Sequence, residues 1–301
     1  GTGVKKQLLT LAVLALAAGT ASAQATDTLA KIKDRGAVNL GVRDSSGLAF
    51  TLGGGKYVGF HTEMAERIID DLGKSLGKPL KINYQVITSQ NRIPLIQNGT
   101  IDFECGSTTN NKARQKDVDF AFTTYVEEVR IAVKANSGIK SIKDLNGRTV
   151  ATTTGTTSVQ TLRKNERAGG IDFKEVMGKD HADSFLLLES GRADAFVMDG
   201  SILAANIAKS KSPKDFAIVG EVLSVEPIAC MLPKGDAKLK KAIDDSIVRQ
   251  IKDGSLTKLY DKWFMQPIPP NNVTLNMPAS ESTKAAWASP NDKPMEDYAA
   301  K

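Results

Sequence analysis

Residues that can grip charged groups recur just beyond apolar runs that read as strands. Arg43 follows the run 38–42 and heads Asp44-Ser45-Ser46-Gly47. Thr88-Ser89-Gln90-Asn91-Arg92 follows the run 81–86 and opens a helical stretch. A third run, 101–105, leads into Gly106-Ser107-Thr108-Thr109-Asn110-Asn111-Lys112-Ala113-Arg114. Further on, the Thr-rich segment 152–158, which includes Thr157, joins a strand to a helix. His181 precedes another helix, and Asp199 closes a strand. A guanidinium offers a two-pronged fork to a carboxylate, hydroxyls donate, and glycine lets backbone come close. Ser89 reads as a helix N-cap that can also donate to a ligand, since a helix N-terminus collects anions. The Thr-rich segment has the character of an anion nest without the Lys-Ser/Thr ending of a nucleotide loop. Arg43, Arg92, Arg114 and His181 then stand against a single acid, Asp199. That imbalance suits a ligand with two carboxylates and one ammonium. Charge-assisted bonds of roughly 1.5–3 kcal/mol each suffice for the ~8 kcal/mol of micromolar binding after losses. His61 reads as structural.

The elements that must position these residues alternate between short apolar runs and helical periodicity. Met64, Ile68, Ile69 and Leu72 mark a helix over 59–78. Short helices are expected at 92–97 and 141–145, longer ones at 158–167, 183–189, 201–208, 237–253 and 256–264. Strands are expected at 129–135, 148–152, 193–198, 216–221 and 225–232. Succession of this kind implies βαβ units and largely parallel sheet, which binds ligands beyond the carboxyl ends of its strands. A local repeat supports two similar halves: Ile96-Gln97-Asn98-Gly99-Thr100-Ile101-Asp102-Phe103 matches Leu188-Glu189-Ser190-Gly191-Arg192-Ala193-Asp194-Ala195. Its register aligns Ser107 with Asp199. The tail from about residue 266, with Pro267, Pro269 and Pro270, reads as extended and mobile.

Composition narrows the class. The 301 residues are 41% hydrophobic and 25% charged, which excludes disordered and collagen-like chains, and the length fits two domains. A net charge of +6 without a dense basic cluster gives no case for nucleic acid. Two His and two Cys leave too few ligands for a metal site, and no cofactor is expected. Lys5 and Lys6, an apolar run over 8–18 and Ala21-Ser22-Ala23 predict a signal peptide, 1–23, cleaved near Ala23. Export to an oxidising compartment leaves two readings of Cys105 and Cys230, a disulfide or two buried thiols.

These motifs together resemble the periplasmic solute-binding proteins of polar amino-acid ABC transporters, most closely the glutamate/aspartate-binding proteins. The resemblance rests on Val42-Arg43, the segments 88–92 and 102–110, Arg114, Thr154-Gly155-Thr156-Thr157-Ser158, His181-Ala182-Asp183-Ser184-Phe185, 191–196 and Lys262-Trp263-Phe264. It implies an α/β, two-lobed periplasmic-binding-protein fold (type II) with two crossing hinge strands. Lobe 1 would comprise 24–128 and 226–301, and lobe 2 would comprise 129–225. It also implies that Arg114 and Thr109 hold the α-carboxylate of L-glutamate or L-aspartate, and that Ser107, Thr157 and Asp199 hold its ammonium. Arg43, Ser89, Arg92 and His181 would hold the side-chain carboxylate. The expected protein is a periplasmic monomer that closes on its ligand and docks on an ABC transporter permease. An enzyme or a sensory domain on the same scaffold is the alternative. No nucleophile motif supports the first, and no anchor or signalling segment is read for the second.

Overall fold

The computed structural model describes residues 26–298, so the expected signal peptide lies outside the described residues. Two five-stranded sheets organise the chain. Sheet I runs in the order Lys81–Val86, Ala37–Val42, Phe103–Glu104, Met231–Pro233 and Val118–Phe120. Its first three strands are parallel, and Met231–Pro233 runs against both neighbours. Sheet II runs in the order Phe216–Ile228, Tyr125–Lys134, Ala195–Asp199, Thr149–Thr153 and Lys174–Gly178. Its last three strands are parallel and its two long ones antiparallel. Each sheet is therefore mixed rather than largely parallel. The reversals occur where the chain passes between sheets.

Each sheet with its helices forms one lobe. Helix Phe60–Leu76 buries Met64, Ile68 and Leu72 on one stripe against sheet I, beside helices Ala237–Lys252 and Ser255–Phe264. Sheet II carries a smaller cluster on each face, one around Val129, Ile131 and Leu162, the other around Phe196, Leu188 and Ile202. The long strands Tyr125–Lys134 and Phe216–Ile228 pair along most of their length and cross from one lobe to the other. Phe216–Ile228 is a single strand with an irregularity between Val219 and Ser224. The two strands expected at 216–221 and 225–232 are thus one crossing strand followed by the separate Met231–Pro233.

Cys105 and Cys230 form a disulfide with 4.2 Å between their Cα atoms. Cys105 directly follows strand Phe103–Glu104 and Cys230 directly precedes its neighbour Met231–Pro233 in sheet I. The bond closes a loop of 125 residues that contains all of sheet II.

The internal repeat is structural. Ile101 and Ala193 donate from their amides to Leu95 O and Leu187 O, after Gly99 (φ 79°) and Gly191 (φ 81°) have turned the helix end. Asp102 then accepts from the Asn39 amide, and Asp194 from the Thr149 amide, each tying its strand to the next. The tail corrects the expectation of an extended, mobile segment. It holds a hairpin (Pro267–Ile268 with Val273–Thr274), helix Glu281–Ala288 and a 3-10 turn, Met295–Asp297. Thr283 Oγ1 accepts from the Val126 amide at 2.9 Å, and Trp287 Nε1 donates to Thr124 O at 2.8 Å. Three prolines and a helix with only Thr283 and Ala286 buried gave little periodic signal.

Candidate functional site

Sheet I delivers the guanidiniums. Arg43, directly after Ala37–Val42, is fully buried. Its Nη2 donates to Ser89 Oγ at 2.9 Å and to Asp180 Oδ1 of the facing lobe at 3.0 Å. Ser89 therefore receives Arg43, and it caps no helix: helix Arg92–Gln97 has Asn91 at its N-cap position. Arg92 donates from Nη1 to Thr108 Oγ1 at 2.9 Å, and the Thr108 hydroxyl in turn donates a hydrogen bond to Glu104 Oε1. This chain fixes Arg92 from within its own lobe. Arg92 Nε is buried without a hydrogen-bond partner among the described residues. Arg114, on helix Lys112–Gln115, donates to Thr109 O at 2.9 Å and to Gly155 O at 3.3 Å.

Sheet II delivers hydroxyls, an imidazole and a carboxylate. In the Thr-rich loop the Gly155 carbonyl faces Arg92 and Arg114, and Thr157 Oγ1 donates to Glu226 Oε1 at 2.5 Å. Thr109, from the other lobe, donates to the same Glu226 oxygen at 2.8 Å. The loop thus presents the Gly155 carbonyl to the two guanidiniums of the facing lobe. His181 opens helix His181–Glu189, whose capping box pairs Asp180 with Asp183. Its Nδ1 lies 2.9 Å from Thr153 Oγ1, while Nε2 has no partner among the described residues. Asp199 ends strand Ala195–Asp199 and is buried.

The walls meet around a small, nearly closed pocket lined by Ser89, Arg92, Ser107, Thr109, Arg114, Thr156, Thr157, His181, Met198, Asp199 and Ile202. All the site residues expected from the sequence line it except Arg43, which stands behind Ser89 and Ser107.

The electrostatics differ from a bare count of strand-end charges. Asp180, Glu104 and Glu226 join the constellation, and Asp180 takes up Arg43. Burial works to raise the Asp180 carboxyl, yet the Arg43 charge, with the hydrogen bonds from Arg43 and the His181 backbone, together hold it below the usual carboxylate value. Burial, and then Arg43, push His181 well below the ordinary imidazole range, so it is neutral. Burial followed by the charges of Glu127 and Glu226 pushes Asp199 well up. Arg92 is pressed in the opposite sense, first by burial and then by Arg114 and Arg43. A pocket with a strained cationic end and a strained anionic end favours a ligand carrying both charges.

Residues 38–266 match the family model of the bacterial extracellular solute-binding proteins, family 3. The chain belongs to this family. It is 43% identical over 299 residues to the L-glutamate/L-aspartate-binding protein of Pseudomonas aeruginosa, covering 97% of this chain and 99% of that protein. It is 42% identical to the glutamate/aspartate import solute-binding protein of Escherichia coli K12, covering 96% of this chain and 98% of that one. A mutant of ArgBP from T. maritima superposes with a TM-score of 0.71 at 29% identity, covering 79% of this chain and 100% of that one. The expected two-lobed type II periplasmic-binding-protein fold is therefore the fold of this solute-binding protein. It is an extracytoplasmic binding protein, not an enzyme.

Sequence reasoning found this family member's strand-end residues and missed their partners. Asp180, next to His181, carried no local mark of its partner Arg43, 137 residues away. Glu226 sits in an apolar strand, 117 residues from Thr109, and nothing local signals it. Met198 and Ile202 line the pocket as the apolar neighbours of Asp199.

Proposed function

We propose that this protein captures L-glutamate and L-aspartate in the periplasm and delivers them to the permease of an ABC transporter. The observation that carries the reading is Arg92, a guanidinium buried beside Arg114 and Arg43, lining a small pocket, with its Nε unpartnered among the described residues. A second carboxylate on the ligand relieves that charge. The names of the two curated relatives support the same ligands.

In this reading Arg92, Ser89 and His181 take the side-chain carboxylate, and Arg43 acts behind them through Ser89 and Asp180. Arg114 and Thr109 take the α-carboxylate. Ser107, Thr157 and Asp199 take the ammonium, with Glu226 holding both threonines in place. The lobes, 24–128 with 226–301 and 129–225, swing about the crossing strands as monomers, and ligand contacts made by both lobes drive closure. Cleavage near Ala23 releases the mature chain.

Calorimetry tests this. Glutamate and aspartate bind with micromolar or better affinity, and glutamine, which lacks the second charge, binds at least a hundredfold more weakly. Equal binding of glutamine overturns the assignment.

A further inference from the structure

The tail touches the opposite lobe through the tip of its hairpin, beyond residue 266 where the family match ends. The hairpin is seated on the first lobe, with Ile268 buried in that lobe's core. From its tip, Asn271 Nδ2 donates to Ala208 O and to Ser210 O, each at 3.1 Å. Those carbonyls end helix Gly200–Lys209 of the second lobe. The last carbonyls of a helix have no partner within it, and the negative end of its dipole favours a donor. Asn271 supplies that donor from the other lobe.

The opposite end of the same helix belongs to the ligand pocket. Asp199 is its N-cap, and Ile202 lies in its first turn. Between the two ends Asn206 Nδ2 donates to Ser45 O at 3.2 Å, and at the last residue Lys209 Nζ lies 4.4 Å from the centre of the Phe50 ring. One rigid helix thus connects the pocket carboxylate to the hairpin grip. We infer that Asn271 is a closing latch, a positioning residue outside the pocket that raises ligand affinity by holding helix Gly200–Lys209 against the first lobe. The inference rests on the reading of lobe closure around an amino acid given above. Both hydrogen bonds bridge lobes, so they favour the closed form alone. The latch therefore slows release and leaves capture unchanged.

The test uses Asn271→Ala and Asn271→Asp in the otherwise unaltered protein, at an exposed position. Calorimetry and stopped-flow kinetics with glutamate and aspartate are expected to show the dissociation constant rising roughly three- to tenfold. The rise falls on the dissociation rate and is equal for both ligands. Association rate and ligand-free melting temperature stay unchanged. The Asp variant, with a carboxylate facing two carbonyls, binds no better than the Ala variant. An unchanged dissociation rate in both variants overturns the latch, as does a drop in ligand-free melting temperature that accounts for the whole effect. The wild-type titration reads the functional assignment separately. If another amino acid binds instead, that assignment fails, and the same kinetics with that amino acid decide the latch.

Discussion

The two walls of the pocket are assembled on different principles. On the first lobe, Arg92 is oriented by Thr108 and Glu104, and Arg114 by Thr109 O, all partners from the same side of the cleft. The disulfide pins the strands beneath them. On the second lobe, key partners lie across the gap or on a crossing strand. Asp180 receives Arg43, and Thr157 donates to Glu226. Each arginine of the first wall has a partner within its own lobe besides its contact across the cleft, whereas Asp180 and Thr157 of the second wall find theirs on the other side. Such a division places the ordering cost of the cationic wall ahead of binding. Under the proposed function the ligand would land on the arginines, and closure would add Thr157, the imidazole and Asp199.

Removing the preformed wall gives the largest effect. Arg92→Met keeps most of the side-chain volume and deletes the charge. It should cost about 2–5 kcal/mol of glutamate affinity, because the ligand's second carboxylate is then buried without its partner. Titration giving a dissociation constant within threefold of wild type removes Arg92 from the site. Blocking the second wall comes next. A Cβ added at Gly47 lies 2.1 Å from Ser201 O and 2.6 Å from the Ile202 amide, backbone atoms that cannot yield unless the lobes part. Gly47→Ala leaves the arginines intact and holds the second lobe away. The loss is about 2–4 kcal/mol, the worth of one or two charge-assisted bonds from that side. X-ray scattering should show no compaction on adding glutamate. Full compaction with unchanged affinity breaks the distinction between the walls.

This contrast also explains what the sequence could tell. Strand ends followed by Arg, Ser or Thr are local patterns, so Arg43, Ser89, Arg92, Ser107, Thr109 and Arg114 could be found by reading along the chain. The repeat around Asp102 and Asp194 was equally local, because each aspartate accepts from an amide in the first half of the adjacent strand after one helix-end geometry. Contacts formed by closure carry no such mark. Arg43 and Asp180 are 137 residues apart, and neither's surroundings name the other. The tail was illegible for a related reason: its short helix is held by hydrogen bonds to Val126 and Thr124, not by a broad apolar stripe.

The chain's two histidines reduce the same contrast to a pair of rings. His181, on the closing wall, leaves Nε2 unpartnered among the described residues at the pocket. His61, under the first wall, has both nitrogens engaged, Nδ1 2.7 Å from Gly106 O and Nε2 2.8 Å from Thr124 Oγ1. Burial pushes His61 down to about 4, against the weaker upward pull of its bond to Gly106. Its folded value lies below the unfolded one, so its stabilising effect is complete above about pH 6.5. It is lost as the pH falls toward 4, at most about 3 kcal/mol in all. Glu127 works in the opposite sense. Burial raises it to about 7, so its contribution is present at low pH and is lost as the pH rises through that value. Only the difference between His61→Gln and wild type isolates the histidine. Urea unfolding at pH 7 and pH 4.5 should show the variant losing less stability on acidification. Saturating glutamate should leave that difference in place, because His61 does not line the pocket. Equal acid sensitivity in the two proteins means that His61 does not carry the effect.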